Sequence, residues 1–426
     1  MLGRIYLYIL FNIGRVIVSA QSLVAWAKTR SKPTVVHHEA PYDDRPIMLL
    51  ALYEKGLLRP DVTRLLEQAR AAGFYVVAVN TLKLRNPGSV AGMVDCYIER
   101  PNYGRDFGSY KTGFLHIYNR RWDRTCPRLL MINDSVYFTT ERMRPFLDDM
   151  MSPSPEVLGA TENHEIEYHL GSFCIAMDGS VLRSQLMRDY WKDYTLSDVR
   201  PRVIREGEMR LSRTLKRVVT TPREFAALYS ATRFAEQVER DEGLLDFAMR
   251  NARSANRTHW KRVTPKAALN YLSSRFLVPF NPAASFEMGP PKPFQSGVEM
   301  AEASLAESEF VASYDDFVRF LHSRVSRPET IDNKAVRSMT AAYAAEVFME
   351  GSQIHQNAAI MLAMGLPIIK LDGLYRGMFN LADVRTLTDQ LPSHEAEELR
   401  ALLMDRPFGG DTLIGWKRAA FLRGYI

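Results

Sequence analysis

The chain opens on a largely apolar run, Ile5 to Ala27, in which the polar positions are regularly placed. Arg4, Tyr8, Asn12, Arg15, Ser19 and Ser22 recur at spacings of three and four, one stripe of a helix. Lys28, Arg30 and Lys32 follow at once. Arg15 at mid-span is costly in a bilayer centre, so the pattern predicts an amphipathic helix over residues 1–32 lying in a membrane interface. An apolar arm packed on the protein's own second lobe or on another subunit fits the same pattern; a cleaved signal fits it least. Residues 33–45 are polar, with a solvated His37-His38 pair, and read as a linker.

From Pro46 the period changes. Pro46 to Tyr53 and Phe74 to Val79 are short apolar runs, read as buried strands. Between them Asp61 caps a helix with Val62, Leu65, Leu66, Ala69 and Ala72 on one face, and Gly73 ends it. Strand, helix, strand at this spacing is a parallel βαβ unit. The alternation continues with strands at 95–99, 128–132, 157–161 and 170–177, and helices at 107–118, 141–150 and 180–190. The expected fold is α/β, a doubly wound, mostly parallel, Rossmann-like sheet over residues 46–220. Residues 200–217 are strongly basic, 222–251 look helical, and 264–297 form a loop rich in Pro and Gly. Helices are expected at 301–324 and 335–364, then a turn and short strand at 365–370, and a helical tail from Ser393. The resulting divisions are 1–32, 33–45, 46–220, a helical region with the Pro/Gly loop at 221–345, and a C-terminal helical segment at 346–426 completing the site.

Composition narrows the function less than the pattern does. A length of 426 residues permits a sizeable core and predicts division into two lobes, and 46% hydrophobic with 24% charged residues is ordinary for a globular chain. The net charge of +6 suits phosphates or an anionic surface. Without a zinc knuckle, an RNP-type strand or interleaved Arg and aromatics, nucleic acid is not an expected partner. Three scattered cysteines, Cys96, Cys126 and Cys174, suggest neither a disulfide framework nor a metal knuckle.

Two polar clusters carry the candidate chemistry: Asn102 to Tyr110, and Asn133-Asp134-Ser135 at the tip of the run Leu129 to Ile132. Open α/β sheets bind ligands at such strand tips. Asn102, Gly104, Arg105 and Asp106, placed before a helix, suit a diphosphate held by backbone and guanidinium. Tyr53, Asn80, Asn133, Asp134, Ser135 and Lys370 complete the candidate donor-binding set. Asp134 could hold Mg2+ or Mn2+ through hard oxygens. Glu206, Glu208, Glu162 and His169 are candidate bases, of which Glu208, Glu206 and His169 are taken as catalytic. Each also has a plain structural role open to it: Asp134 in turn chemistry, Arg105 and Asp106 as an ion pair, and Glu208 as a solvated helix charge. His164 and His169 are five apart, which does not make the helix of a zinc protease.

These residues resemble the rhamnan synthesis F family of bacterial polysaccharide glycosyltransferases. The resemblance rests on Asn102 to Tyr110, Leu130 to Tyr137, His169 to Phe173, Glu208 with Leu211-Ser212, and Gly365 to Lys370 with Leu374-Tyr375-Arg376. It implies a GT-A-like fold and transfer of a sugar, often rhamnose, from a nucleoside-diphosphate sugar to a lipid-linked glycan. Within it the Glu208 segment looks like the base-carrying helix of related inverting transferases; joined to the N-terminal helix, the reading gives a peripheral position on the cytoplasmic face of the membrane. The acidic motif of GT-A enzymes is reduced to one carboxylate here, which puts metal dependence in question. Two rivals stand beside this reading: a sugar-phosphate transferase of capsule synthesis, and a non-catalytic glycan-binding or assembly subunit.

Overall fold

The computed structural model describes residues 2–164, 166–254, 261–262, 273–276, 332–378, 380–405 and 413–425. The chain divides into two compact units, Met1–Leu228 with Gly365–Ile426, and Tyr229–Met364.

The first unit is built on a nine-stranded mixed sheet. Its strands are β1 (Val35–Glu39), β2 (Ile47–Leu52), β3 (Tyr75–Asn80), β4 (Cys96–Glu99), β5 (Arg128–Asn133), β7 (Val157–Asn163), β8 (His169–Leu170), β9 (Cys174–Asp178) and β10 (Phe225–Tyr229). The order is β1-β4-β3-β2-β5-β9-β7-β10, with β8 on β7. Every residue of β2, β3 and β5 is buried, which is why these strands are continuous apolar runs in the sequence. Helices α2 (Pro60–Ala71) and α3 (Arg105–Asn119) follow β2 and β4. Gly113 lets α3 lie close on Leu49 of β2, where a Cβ would collide with the leucine. On the outer side of α3, Phe114 stacks on Trp191 of α6 (Gln185–Asp193) at 4.4 Å.

Several expectations are corrected. The β4–β3, β3–β2 and β2–β5 pairs are parallel, whereas the β1–β4, β5–β9, β9–β7 and β7–β8 pairs are antiparallel, so the sheet is mixed rather than mostly parallel. The segment 157–178 returns on itself through short connections, which cannot house the long crossover a parallel pair needs. The run 170–177 is accordingly two strands broken at Gly171. Residues 33–45 contain β1, and His37 is 3.0 Å from Glu99 instead of merely solvated. Asp61 does not cap α2: Arg59 occupies the N-cap, and buried Asp61 accepts from the Phe138 backbone N–H and the Arg59 guanidinium. The helix expected at 180–190 breaks at Ser184 into α5 (Gly179–Arg183) and α6, and the helix expected at 222–251 opens with a 3-10 turn, Pro222–Glu224, and strand β10 before its helices.

A short strand β6 (Val136–Phe138) pairs antiparallel with Ile368–Lys370. Helix α1 (Leu2–Thr29) packs against the C-terminal helix Gly415–Leu422 through Gly14, whose absent side chain admits Ala420 and the Trp416 carbonyl. Ser22, part of the expected polar stripe, is buried toward the protein, 3.4 Å from the Tyr103 hydroxyl.

In the second unit, helices Ala231–Arg240, Glu242–Asn251 and Asn333–Met349 form a small core in which Phe234 stacks on Phe348 at 4.3 Å. The expected helix at 335–364 is three pieces, Asn333–Met349, Gln353–Gln356 and Ala358–Ala363. The expected loop at 264–297 and helix at 301–324 lie almost wholly outside the described residues.

Candidate functional site

Chain direction creates the site. From β2 the chain moves outward through β3 and β4, then returns to place β5 on the other side of β2. The C-terminal ends of β2 and β5 therefore flank a topological switch point, where loops diverge and leave a crevice. Tyr53 and Glu54 leave β2 there, and Asn133-Asp134-Ser135 leave β5 beside them.

The Asn-Asp-Ser turn is held from several sides. Asp134 Oδ2 accepts the Tyr53 N–H at 2.5 Å. Asn133 Oδ1 accepts the Ser135 hydroxyl at 2.6 Å, and its Nδ2 donates to Asp106 at 3.1 Å. Arg59 donates to the Asp134 carbonyl at 3.0 Å and the Val136 carbonyl at 2.7 Å, and lies 3.4 Å from Glu54. Lys370 reaches across from its strand, opposite Val136, to donate to Ser135 Oγ at 3.0 Å.

The second cluster is shaped by Arg100. Its guanidinium donates to the carbonyls of Pro101, Tyr103 and Arg105 and to Ser109, fixing the loop that starts α3. Gly108 has no side chain because a Cβ would strike that guanidinium and lie 2.7 Å from the Tyr103 carbonyl. Gly104 is left-handed, at φ +92°, and its N–H donates to Asp198 at 2.7 Å. Arg105, also at positive φ, donates through Nε to the Asp198 carbonyl at 2.9 Å.

Charges here are crowded and desolvated. Burial raises the pKa of Asp134, Asp106 and Glu54, and Glu54 and Asp106 each repel Asp134 further, while Arg59 opposes the shift. Lys370 and Arg105 favour the ionised form of Asp106, and Glu208 disfavours it. Burial lowers the pKa of Arg105 and Arg200, and Arg376 repels both. Three arginines from distant segments thus lie within electrostatic reach of one another, among the carboxylates of Asp106, Asp198, Glu208 and Asp372, the last 2.7 Å from Arg376.

The remaining candidates divide. Glu208 lies in a π-helical segment, Ile204–Met209, within reach of Asp106 and Arg200. Such segments are frequent at functional sites. Glu206, two residues earlier, pairs with Arg205 at 3.0 Å. His169 is buried and its Nδ1 donates to the Glu167 carbonyl at 2.7 Å. Asn80 is fully buried and fully used, accepting the N–H groups of Glu54 and Leu82 and donating to the Glu54 carbonyl and Tyr97 hydroxyl. It positions the β2 loop and offers nothing to a ligand. Tyr53, just past the end of β2, is exposed, and so is Asn102. Glu54, Arg59, Arg100, Asp198 and Arg200 are absent from the sequence candidates, and Arg376 appears there only within the family-like Leu374-Tyr375-Arg376. For Glu54 the signal was present, a carboxylate just beyond the tip of an apolar strand.

Over residues 75–218 the chain matches the family Rhamnan synthesis protein F. The matched stretch runs from β3 through the π-helical segment and holds both polar clusters. The chain is also 24% identical over 189 residues to the uncharacterized protein y4gN of Sinorhizobium fredii, covering 43% of this chain and 49% of the relative. It is 28% identical over 98 residues to the virulence protein VirA of Vibrio anguillarum, covering 23% and 30%. The chain thus spans at most about half the length of these curated relatives. The family match connects it to rhamnan and polysaccharide synthesis.

Proposed function

We propose that the protein is a glycosyltransferase with a GT-A-like nucleotide-sugar domain, moving a sugar, with rhamnose the first candidate, from a nucleoside-diphosphate sugar to a lipid-linked or membrane-bound glycan. The observation that carries this reading is the contact of Lys370 with Ser135 and of Asn133 with Asp106 at the β2/β5 switch point, with Arg105 in charge contact with Asp106 and with Arg200 and Arg376. Cations placed at strand tips suit a diphosphate leaving group, whose negative charge grows as the glycosidic bond breaks. The ring of Tyr53 is exposed where a nucleotide base can stack. Glu208 takes the acceptor hydroxyl's proton, being the candidate base that faces Asp106 and the arginines.

Asp134 and Asp106 are the donors that would hold Mg2+ or Mn2+, since buried Asp134 and half-buried Asp106 are hard oxygen ligands whose charges crowd each other. An ion of this kind, held by one or two carboxylates and the substrate's phosphates, would supply positive charge to the leaving diphosphate. The membrane surface is met through residues 4–32, in a peripheral position on the cytoplasmic face. Packing of α1 along its own unit, from Gly14 to Ser22, supports a helix that lies on a bilayer over one that crosses it.

The test is a thermal-shift screen against nucleoside diphosphates and nucleotide sugars, with and without magnesium or manganese. A ligand at a hundred times its dissociation constant adds about 2.7 kcal/mol of stability. The expected result is a shift by one diphosphate and its sugar, lost in Asp134→Ala. No shift with any nucleotide would overturn the reading. Release of a nucleoside diphosphate, as opposed to a monophosphate, separates it from phosphosugar transfer.

A further inference from the structure

Helix α1 has two unlike faces. Gly14, Val18 and Ser22 are buried against the protein, and on the opposite side Ile9, Ile13, Val16, Leu23 and Val24 are each 44–65% exposed. At 100° per residue these five share one apolar face. Exposed Tyr8 and Trp26 stand near its two ends, and the Arg30 guanidinium lies 5.0 Å from the Trp26 ring. Residues 1–32 contain Arg4, Arg15, Lys28, Arg30 and Lys32 and neither Asp nor Glu.

On the flank between the packed and exposed faces lies an open pocket lined by Tyr8, Phe11, Asn12, Arg15, Arg423 and Tyr425. Arg423 comes from the end of the C-terminal helix and is oriented by Phe11, its guanidinium 4.1 Å from the ring centroid. Among the described lining residues there are two guanidinium groups and no carboxylate.

We propose that this pocket binds the phosphate of an anionic phospholipid headgroup while the exposed face of α1 enters the acyl boundary. The inference deepens the membrane-surface reading above and rests on it. Charge selects this occupant. A second copy of the chain would bring the same cations to the seam, whereas an anionic bilayer answers them and tolerates the bordering Tyr and Trp. Guanidinium groups on two helices can share one phosphate through paired N–H donors, which an ammonium group cannot reproduce.

The experiment uses the full chain with vesicles of phosphatidylcholine alone, phosphatidylcholine with phosphatidylglycerol, and phosphatidylcholine with a polyprenyl phosphate. Sedimentation should show strong binding to the phosphatidylglycerol vesicles. Leu23→Asp should abolish it. Arg15→Lys and Arg423→Lys should each weaken it as much as the alanine variants do, by about fivefold or more. Lysine variants that bind like the parent would overturn the pocket, leaving only diffuse charge. Binding confined to polyprenyl phosphate vesicles would overturn the phospholipid assignment. A lipid-free dimer that Leu23→Asp dissociates, with no vesicle binding, would overturn the membrane occupant. Thermal shift by nucleotide is read on the same samples, so failure of the donor site registers separately from failure of the pocket.

Discussion

The two ends of helix α3 carry similar chemical groups in opposite states. At its C-terminal end His116 lies 2.7 Å from Glu39, and Arg120 closes on the same carboxylate at 3.0 Å. Cys96, 3.8 Å from His116, is kept a neutral thiol, its pKa pushed up to about 12 by burial. Burial lowers the pKa of His116 as well, but the hydrogen bond and charge of Glu39 oppose that shift, so the groups at this end pair with one another. At the N-terminal end Asp106 joins Asp134 and Glu54 in being harder to ionise than usual, while Arg105 and Arg200 are harder to keep charged. A cluster balanced by its own side chains needs nothing further from solution. One that keeps desolvated charges of each sign in unfavourable states stores work that a ligand can release, and such clusters gather at functional sites.

The sharpest way to break this contrast is to delete an arginine at each end. Arg376→Ala or Arg105→Ala should weaken nucleoside-diphosphate binding by about 30-fold or more, the scale for truncating one partner of a desolvated charge contact. Arg120→Ala should leave it unchanged in the same calorimetric titration. Equal effects at both ends would remove the distinction.

Asp134→Asn should remove the nucleotide response yet stabilise the free protein at neutral pH. A carboxyl whose pKa is raised by folding binds its proton more tightly folded than unfolded. Its contribution is fully present below the ordinary carboxylate range and is lost as pH rises through the raised value. The stabilisation by Asn should therefore grow from acid to neutral pH in chemical denaturation. A variant less stable at every pH would mean that the carboxylate's bond to the Tyr53 N–H outweighs its desolvation.

Gly108→Ala should cost about 1–3 kcal/mol of stability, because the new Cβ overpacks Arg100 and the loop carbonyl behind it. It should also weaken nucleotide binding, since that loop carries Arg105. The smallest effect belongs to Glu39→Gln at the balanced end. Partly exposed ion pairs contribute little, so a loss of about 1 kcal/mol or less in urea melts, with nucleotide binding intact, is expected.

Much of this molecule is written locally in its sequence. Strands β2, β3 and β5 are buried on both faces, so each must be an unbroken apolar run, and the run's end marks the tip where Asn133-Asp134-Ser135 sits. The turn and strand that bring Lys370 to that tip are likewise short-range signals. What could not be read there is long-range pairing. The linker-like segment 33–45 contains a strand only because β4 offers it an edge, and β9 runs antiparallel because of how 157–178 folds back. Glu54 and Asp134 become neighbours through the parallel register of β2 and β5, and Arg59 becomes a clamp only once β6 lies beside it. Arg105, Arg200 and Arg376 are far apart along the chain, and no periodicity links them. Side-chain period follows from backbone geometry within a few residues, whereas the company a charge keeps is decided by which distant segments the packed sheet brings together.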